Sequence, residues 1–139
     1  MAIGYGVAVP KPEPRTRVKA RAKREQRDHV TEVRQYVFAR ERDLCRCCRF
    51  RRAESMHELR PKSLRGRVSR SNSIAVCGDG VRGCHGFLQR HEITFHRSLK
   101  LGAEATLYFM PCTEAARTWT RLGERHGIES PVMRELEAD

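Results

Sequence analysis

Aromatic side chains are scarce in this chain: Phe, Trp and Tyr together make up 6% of its 139 residues. With apolar residues at only 39%, the core must be modest, and a metal clamp is a common supplement to a core that small. Long apolar runs are missing too. No stretch approaches the ~18 residues that a membrane-crossing helix requires, so no membrane partner is expected. The opening, Met1 to Pro10, has neither the basic start nor the long apolar centre of a secretory signal, and the expected location is the cytoplasm. No internal repeat is visible. The length suits one domain with short appendages.

Acidic residues are the other shortage. Against 28 Lys and Arg stand 17 Asp and Glu, giving a formal net charge of +11 and a pI near 10.1. The excess is unevenly placed. Residues 1–40 carry 10 basic and 4 acidic side chains, residues 41–101 carry 14 and 6, and residues 102–139 reverse the sign with 4 and 7. A basic front and middle point to a polyanionic partner, with nucleic acid ahead of a merely solvated basic surface.

Residues 1–26 hold Pro10, Pro12 and Pro14 and a basic run with almost no large apolar residue. This reads as an arm that stays extended, or forms a frayed helix on DNA. From Arg27 to about Arg42, Val30, Val33 and Val37 recur at helical spacing. A strand is expected over about 53–59, ended by Pro61, then a polar basic loop, then a second strand over 73–77 able to pair with the first. Gly78, Gly80 and Gly83 permit a tight metal knuckle, and a helix follows from Gly83 or Cys84 to about Arg90. Beyond residue 100 the pattern predicts a strand over 105–110. A helix follows, capped by Thr113, with Trp119 and Leu122 inward, and stopped by Gly127. Ser130-Pro131 could open a last helical turn. The expected division is an arm at 1–26, a core at 27–100 and a strand-helix extension at 101–139.

Six cysteines could in principle make three disulfides, but close pairing and no visible signal favour metal in a reducing compartment. Cys45-x2-Cys48 and Cys77-x6-Cys84 are expected to close a tetrahedral four-sulfur zinc site. Cys47 competes through the shorter Cys45-x-Cys47 spacing, which suits a knuckle less well. Cys112 is far from both pairs and is expected to be a small buried hydrophobe. A zinc clip does not account for His57-Glu58 or for His85.

Taken in order, Cys45-x2-Cys48, Met56-His57-Glu58-Leu59-Arg60-Pro61, Asn72 to Cys77, and Gly83-Cys84-His85-Gly86 resemble the HNH nucleases over about residues 40–95. The resemblance implies an α+β fold with a small ββα-metal core, a zinc knuckle, a leading helix and a C-terminal strand/helix extension. It also implies a metal-dependent endonuclease that hydrolyses DNA, leaving a 5′-phosphate and a 3′-hydroxyl. Zn²⁺ would be structural and Mg²⁺ or Mn²⁺ catalytic. Reading back from Pro61, the family pattern puts His57 at the metal position and Glu58 at the base position, where the family usually has His. Either Glu58 is the base, or His57 is the base and Glu58 turns to the ion. By the same resemblance Asn72 holds the loop by bonding backbone, and His85 is a ligand of the catalytic ion. Position 89, one turn on, is Gln89; His91 lies two residues beyond. His29, His91, His96 and His126 otherwise read as surface histidines. Arg60, Lys62, Arg65, Arg67 and Arg70 border the expected cleft and would neutralise DNA phosphates, with Arg49, Arg51 and Arg52 able to do likewise. Small proteins of this pattern look like those of bacteriophages, which makes packaging proteins candidate partners. The rival expectation is a zinc-stabilised DNA-binding module of degenerate HNH fold without catalysis.

Overall fold

Twenty-six residues without a proline or glycine form the first helix, α1 (Arg15–Arg40), rich in the straight-chain residues that favour helix. The computed structural model describes residues 6, 8–97, 106–122 and 129–131. The helix therefore starts at Arg15 rather than at Arg27, and the basic stretch expected to be extended or frayed is its first half. Residues 15–29 are exposed at every position, and the helix touches the core only through its last turns. There Val33 and Val37 are buried and Tyr36 and Phe38 half-buried, on the expected apolar stripe. No helix among the described residues is long and apolar enough to cross a membrane.

Two short strands follow, β1 (Ser55–Glu58) and β2 (Ser73–Val76), paired antiparallel with His57 opposite Ile74 and Ser55 opposite Val76. Strand β2 is buried on both faces. Because side chains alternate along a strand, Ala75 meets Val33, Val37 and Met56 on the α1 side, while Ile74 and Val76 join the cysteines and Leu88 on the other. Helix α2 (Gly83–Gln89) packs on that second face. The sequence order of strand, loop, strand and helix is thus realised nearly at the expected bounds.

The rest is a three-stranded antiparallel sheet and a short helix. Strands β3 (Ile93–Arg97), β4 (Thr106–Pro111) and β5 (Glu129–Pro131) lie in the order β3-β4-β5. Ile93, Leu107 and Phe109 extend the cysteine-side core. Helix α3 (Glu114–Thr120) is capped as expected, with the Thr113 hydroxyl accepting from the Ala116 N–H at 3.1 Å. It ends earlier than expected, because Arg121 adopts a left-handed conformation at φ 58°; His126 and Gly127 lie outside the described residues. Trp119 and Leu122 are half-buried as expected, while Ala116 and Thr120 are the fully buried positions. Ser130-Pro131 opens no helical turn. It belongs to β5, at the edge of the sheet, where proline is tolerated. Among the described residues the fold is α+β, with one long helix, two β-hairpins and two short helices.

A buried ion cluster ties α1 to the first cysteine pair. Glu41, at the end of the helix, accepts from Arg40 Nε at 2.8 Å and from Arg46 Nη1 at 2.6 and 2.7 Å. Arg40 reaches on to the backbone carbonyls of Arg70 and Ser73 at 2.7 and 2.8 Å. Burial lowers the Arg40 pKa, and the Glu41 charge opposes that.

Candidate metal centre and histidine cavity

The Sγ atoms of Cys45, Cys48, Cys77 and Cys84 all lie within 4.8 Å of one another, and all four residues are buried. A tetrahedral zinc with Zn–S bonds of ~2.3 Å places its sulfurs about 3.8 Å apart, so the cluster is of the right size and softness for Zn²⁺. The knuckle backbone supports it: the Cys84 N–H points to Cys77 Sγ at 3.4 Å, and the Cys45 N–H donates to Arg51 O at 2.8 Å. Hydrogen bonding among the thiols splits their acidities. The Cys45 thiol draws Cys77 down to about 6 and pulls Cys48 far below the usual thiol range, while Cys45 and Cys84 are pushed up. Such a set keeps protons between its sulfurs until a soft cation replaces them. Cys47 is buried in the same core cluster, but is not one of the four mutually close sulfurs. Cys112, expected to be buried, is exposed: it follows the last residue of β4, beyond the core side of the sheet.

Beside this cluster is a cavity of about 430 Å³ whose wall includes His57, Glu58, Lys62, His85 and Gln89. His57, in the middle of β1, and His85, in the first turn of α2, approach with ring centroids 5.3 Å apart and ring planes at 79°. His57 is buried, and burial lowers its pKa to about 4, helped by the charges of His85 and His91. Burial also lowers that of His85, against the pull of Asp79. Burial thus disfavours the charged form of both imidazoles, and a neutral ring keeps one nitrogen lone pair for an ion or a proton.

Strand alternation separates the two residues that the sequence set side by side. Ser55 and His57 face α2, whereas Met56 and Glu58 fall on the α1 side, although Glu58 also lines the end of the cavity. Among the described residues, nothing hydrogen-bonds or pairs with the Glu58 carboxylate. Gln89 reaches the cavity wall; His91 lies past the end of α2, exposed, at φ 57°. Among the described residues, the four cysteines are the one group of three or more His, Cys, Asp or Glu ligands close enough to share an ion.

Asn72 sits at the foot of β2 and fastens the basic loop. Its Oδ1 accepts from the Arg60 N–H at 2.8 Å, and its Nδ2 donates to the carbonyls of Arg60 at 3.0 Å and Arg67 at 2.8 Å. Gly66 completes the turn, because a Cβ there would meet the Arg60 carbonyl oxygen at 1.6 Å. Arg60, Lys62, Arg65 and Arg67 are exposed on this loop. Lys62 and Arg67 also line a second cavity of about 440 Å³, against Gln26 and His29 of α1. His29 anchors that side by a 2.8 Å bond to Val68 O. Arg70 is different: its guanidinium pairs with Glu32 at 3.0 Å and lies over the Tyr36 ring at 4.3 Å, holding α1 against the loop.

Of the three further cationic candidates, Arg51 is stacked on Trp119 at 3.7 Å and bonds its carbonyl oxygen, while Arg49 and Arg52 are exposed. Sequence reasoning missed Ser55, whose hydroxyl bonds both Gly78 O and His85 Nδ1. A serine two residues before His57 on a strand shares its face, and that spacing was the available signal. Comparison with family models, with curated proteins and with solved structures returns no match for this chain.

Proposed function

We propose that the chain is an HNH-type, metal-dependent endonuclease that hydrolyses DNA phosphodiester bonds. The observation that carries this reading is the pair of imidazoles, His57 and His85, meeting at 5.3 Å in the wall of a cavity that Glu58 and Lys62 also line. A bound Mg²⁺ or Mn²⁺ would supply charge for the phosphate oxygens and the leaving alkoxide. His85 would hold that ion, with His57 as a second ligand or as the base that takes a proton from water. Glu58, at the end of the cavity, serves the other of those two roles. Asn72 keeps the loop after β1 closed so that His57 and Glu58 stay in register with the cavity. Arg60, Lys62, Arg65 and Arg67 receive the backbone phosphates, and the basic half of α1 extends the contact along the duplex. In this reading Zn²⁺ on the four cysteines is structural, and the surrounding compartment is the cytoplasm. Work beside bacteriophage packaging proteins rests on the sequence resemblance alone.

The test is conversion of supercoiled plasmid with Mg²⁺, Mn²⁺ or EDTA. Cleavage that needs the ion and falls at least about 100-fold in His85→Ala, with zinc retained, is the expected result. The second reading is a zinc-clamped DNA-binding module without catalysis. It is favoured by the lack, among the described residues, of a third protein ligand beside the two histidines. Binding of the plasmid without nicking under any ion would select it.

A further inference from the structure

The Ser55 hydroxyl lies 2.7 Å from the Gly78 carbonyl oxygen and 2.6 Å from His85 Nδ1. It carries one proton. Were that proton on the imidazole side, Ser55 Oγ and Gly78 O would face each other as two acceptors with no hydrogen between them. With the proton on the carbonyl, Oγ keeps its lone pairs for a hydrogen bond donated by Nδ1–H. The second arrangement alone satisfies both contacts. It fixes the tautomer of His85: Nδ1 bears the ring proton and Nε2 is left bare.

The carbonyl that starts this chain belongs to the zinc knuckle. Gly78 follows Cys77 directly, holds φ at +80°, and has no room for a Cβ, which would come within 2.0 Å of Arg82 O. Asp79 locks the same turn, its N–H donating to Arg82 O at 3.0 Å and its Oδ1 accepting from the Val81 and Arg82 N–H groups at 2.8 Å each. The direction of the Gly78 carbonyl is thus set by the loop that Cys77 and Cys84 close.

The geometry points to a positioning relay. The cysteine-clamped knuckle aims Gly78 O, this orients the Ser55 hydroxyl, and the hydroxyl holds His85 in the one tautomer that offers Nε2 as a ligand atom. The relay rests on the proposed reading of His85 as an ion ligand. It adds to that reading a residue, Ser55, which acts through His85 and need not touch substrate. It also gives the sulfur site a second task, since it sets the ligand state of the neighbouring cavity. Hydrogen bonds of this kind behind a metal-binding histidine are commonly worth 10–100-fold in affinity.

The experiment uses the full chain loaded with zinc, labelled with ¹⁵N, and free of added Mg²⁺ or Mn²⁺. Imidazole ¹H–¹⁵N correlations report each tautomer. Wild type is expected to show His85 protonated on Nδ1, Ser55→Ala to lose that preference, and Ser55→Thr to keep it. Calorimetric titration with Mn²⁺ should weaken about 10–100-fold in Ser55→Ala and recover in Ser55→Thr, with zinc content the same in all three. A wild-type His85 protonated on Nε2 overturns the relay, as does a Ser55→Ala protein with unchanged tautomer. Should wild type show the Ser55-dependent Nδ1–H form and yet bind no Mn²⁺, the relay stands and the ion reading falls.

Discussion

Asn72 holds Arg60 by both of its backbone polar groups, accepting from the N–H at 2.8 Å and donating to the carbonyl at 3.0 Å. With the third bond to Arg67 O, one amide closes both ends of a loop that carries the exposed cations. Asn72→Ala should cost about 1–2 kcal/mol, because the loop is exposed enough for water to replace part of what is lost. Urea unfolding at fixed zinc measures it. Asn72→Asp keeps the acceptor but turns a carboxylate oxygen on the two carbonyls, and should cost at least as much.

The cysteine cluster makes a prediction that separates neighbours. Cys48→Ser should bind zinc poorly and unfold at much lower denaturant, since metal affinity and folding are one equilibrium in such sites. Cys47→Ala should keep one zinc per chain and lose only packing, since its sulfur stands outside the four. Zinc content by elemental analysis decides, and a Cys47→Ala protein without metal would reassign the ligands.

His57 predicts a pH dependence of stability. Its folded pKa is about 4, against an ordinary value of 6.5. The unfolded chain binds this proton as pH falls through 6.5, while the folded chain resists it down to about pH 4. Stability is therefore full above pH 6.5 and is lost as pH falls through this window, by up to about 3 kcal/mol. Acid also releases zinc, so the informative quantity is the difference between wild type and His57→Gln, whose stability should slope less with pH. Parallel curves for the two proteins would contradict a buried, neutral His57.

The Arg40–Glu41–Arg46 cluster should behave unlike the surface pair Arg70–Glu32. The Glu41 and Arg46 side chains are 5% and 7% exposed, so removing the anion takes the carboxylate from between two buried guanidinium groups. Glu41→Gln is expected to destabilise by about 3–5 kcal/mol. Glu32→Gln, on a side chain that is 67% exposed, should cost less than about 1 kcal/mol. Thermal or urea unfolding of both variants checks the contrast.

The central hairpin and helix were legible because their signals are local: apolar pairs at Ile74 and Val76, a proline after β1, and glycines at the knuckle. Four cysteines in two close pairs likewise announced the sulfur cluster. Strand β3 was not among the expected elements, although Ile93 and Phe95 alternate with exposed Thr94 and His96. The first half of α1 was misjudged because low apolar content argues against burial, which is correct here, but does not argue against a helix of Arg, Lys, Ala and Glu. Contacts fixed by tertiary register were out of reach. Ser55 meets Gly78 and His85 across separations of 23 and 30 residues, and only the pairing of β1 with β2 and the seating of α2 bring them together. Glu41 gave no sign that it would be buried between two arginines.

Helix α1 leaves Arg15 to Glu25 exposed at every position, and among the described residues its ion pairs there join Arg21 to Glu13 and Glu25. Among the described residues, no hydrogen bond or ion pair joins that stretch to the sulfur cluster or to the wall of the histidine cavity. Recharging that stretch by mutation should therefore change the stability of the rest by no more than about 0.5 kcal/mol. Its composition is therefore free to be tuned by whatever it meets outside the chain.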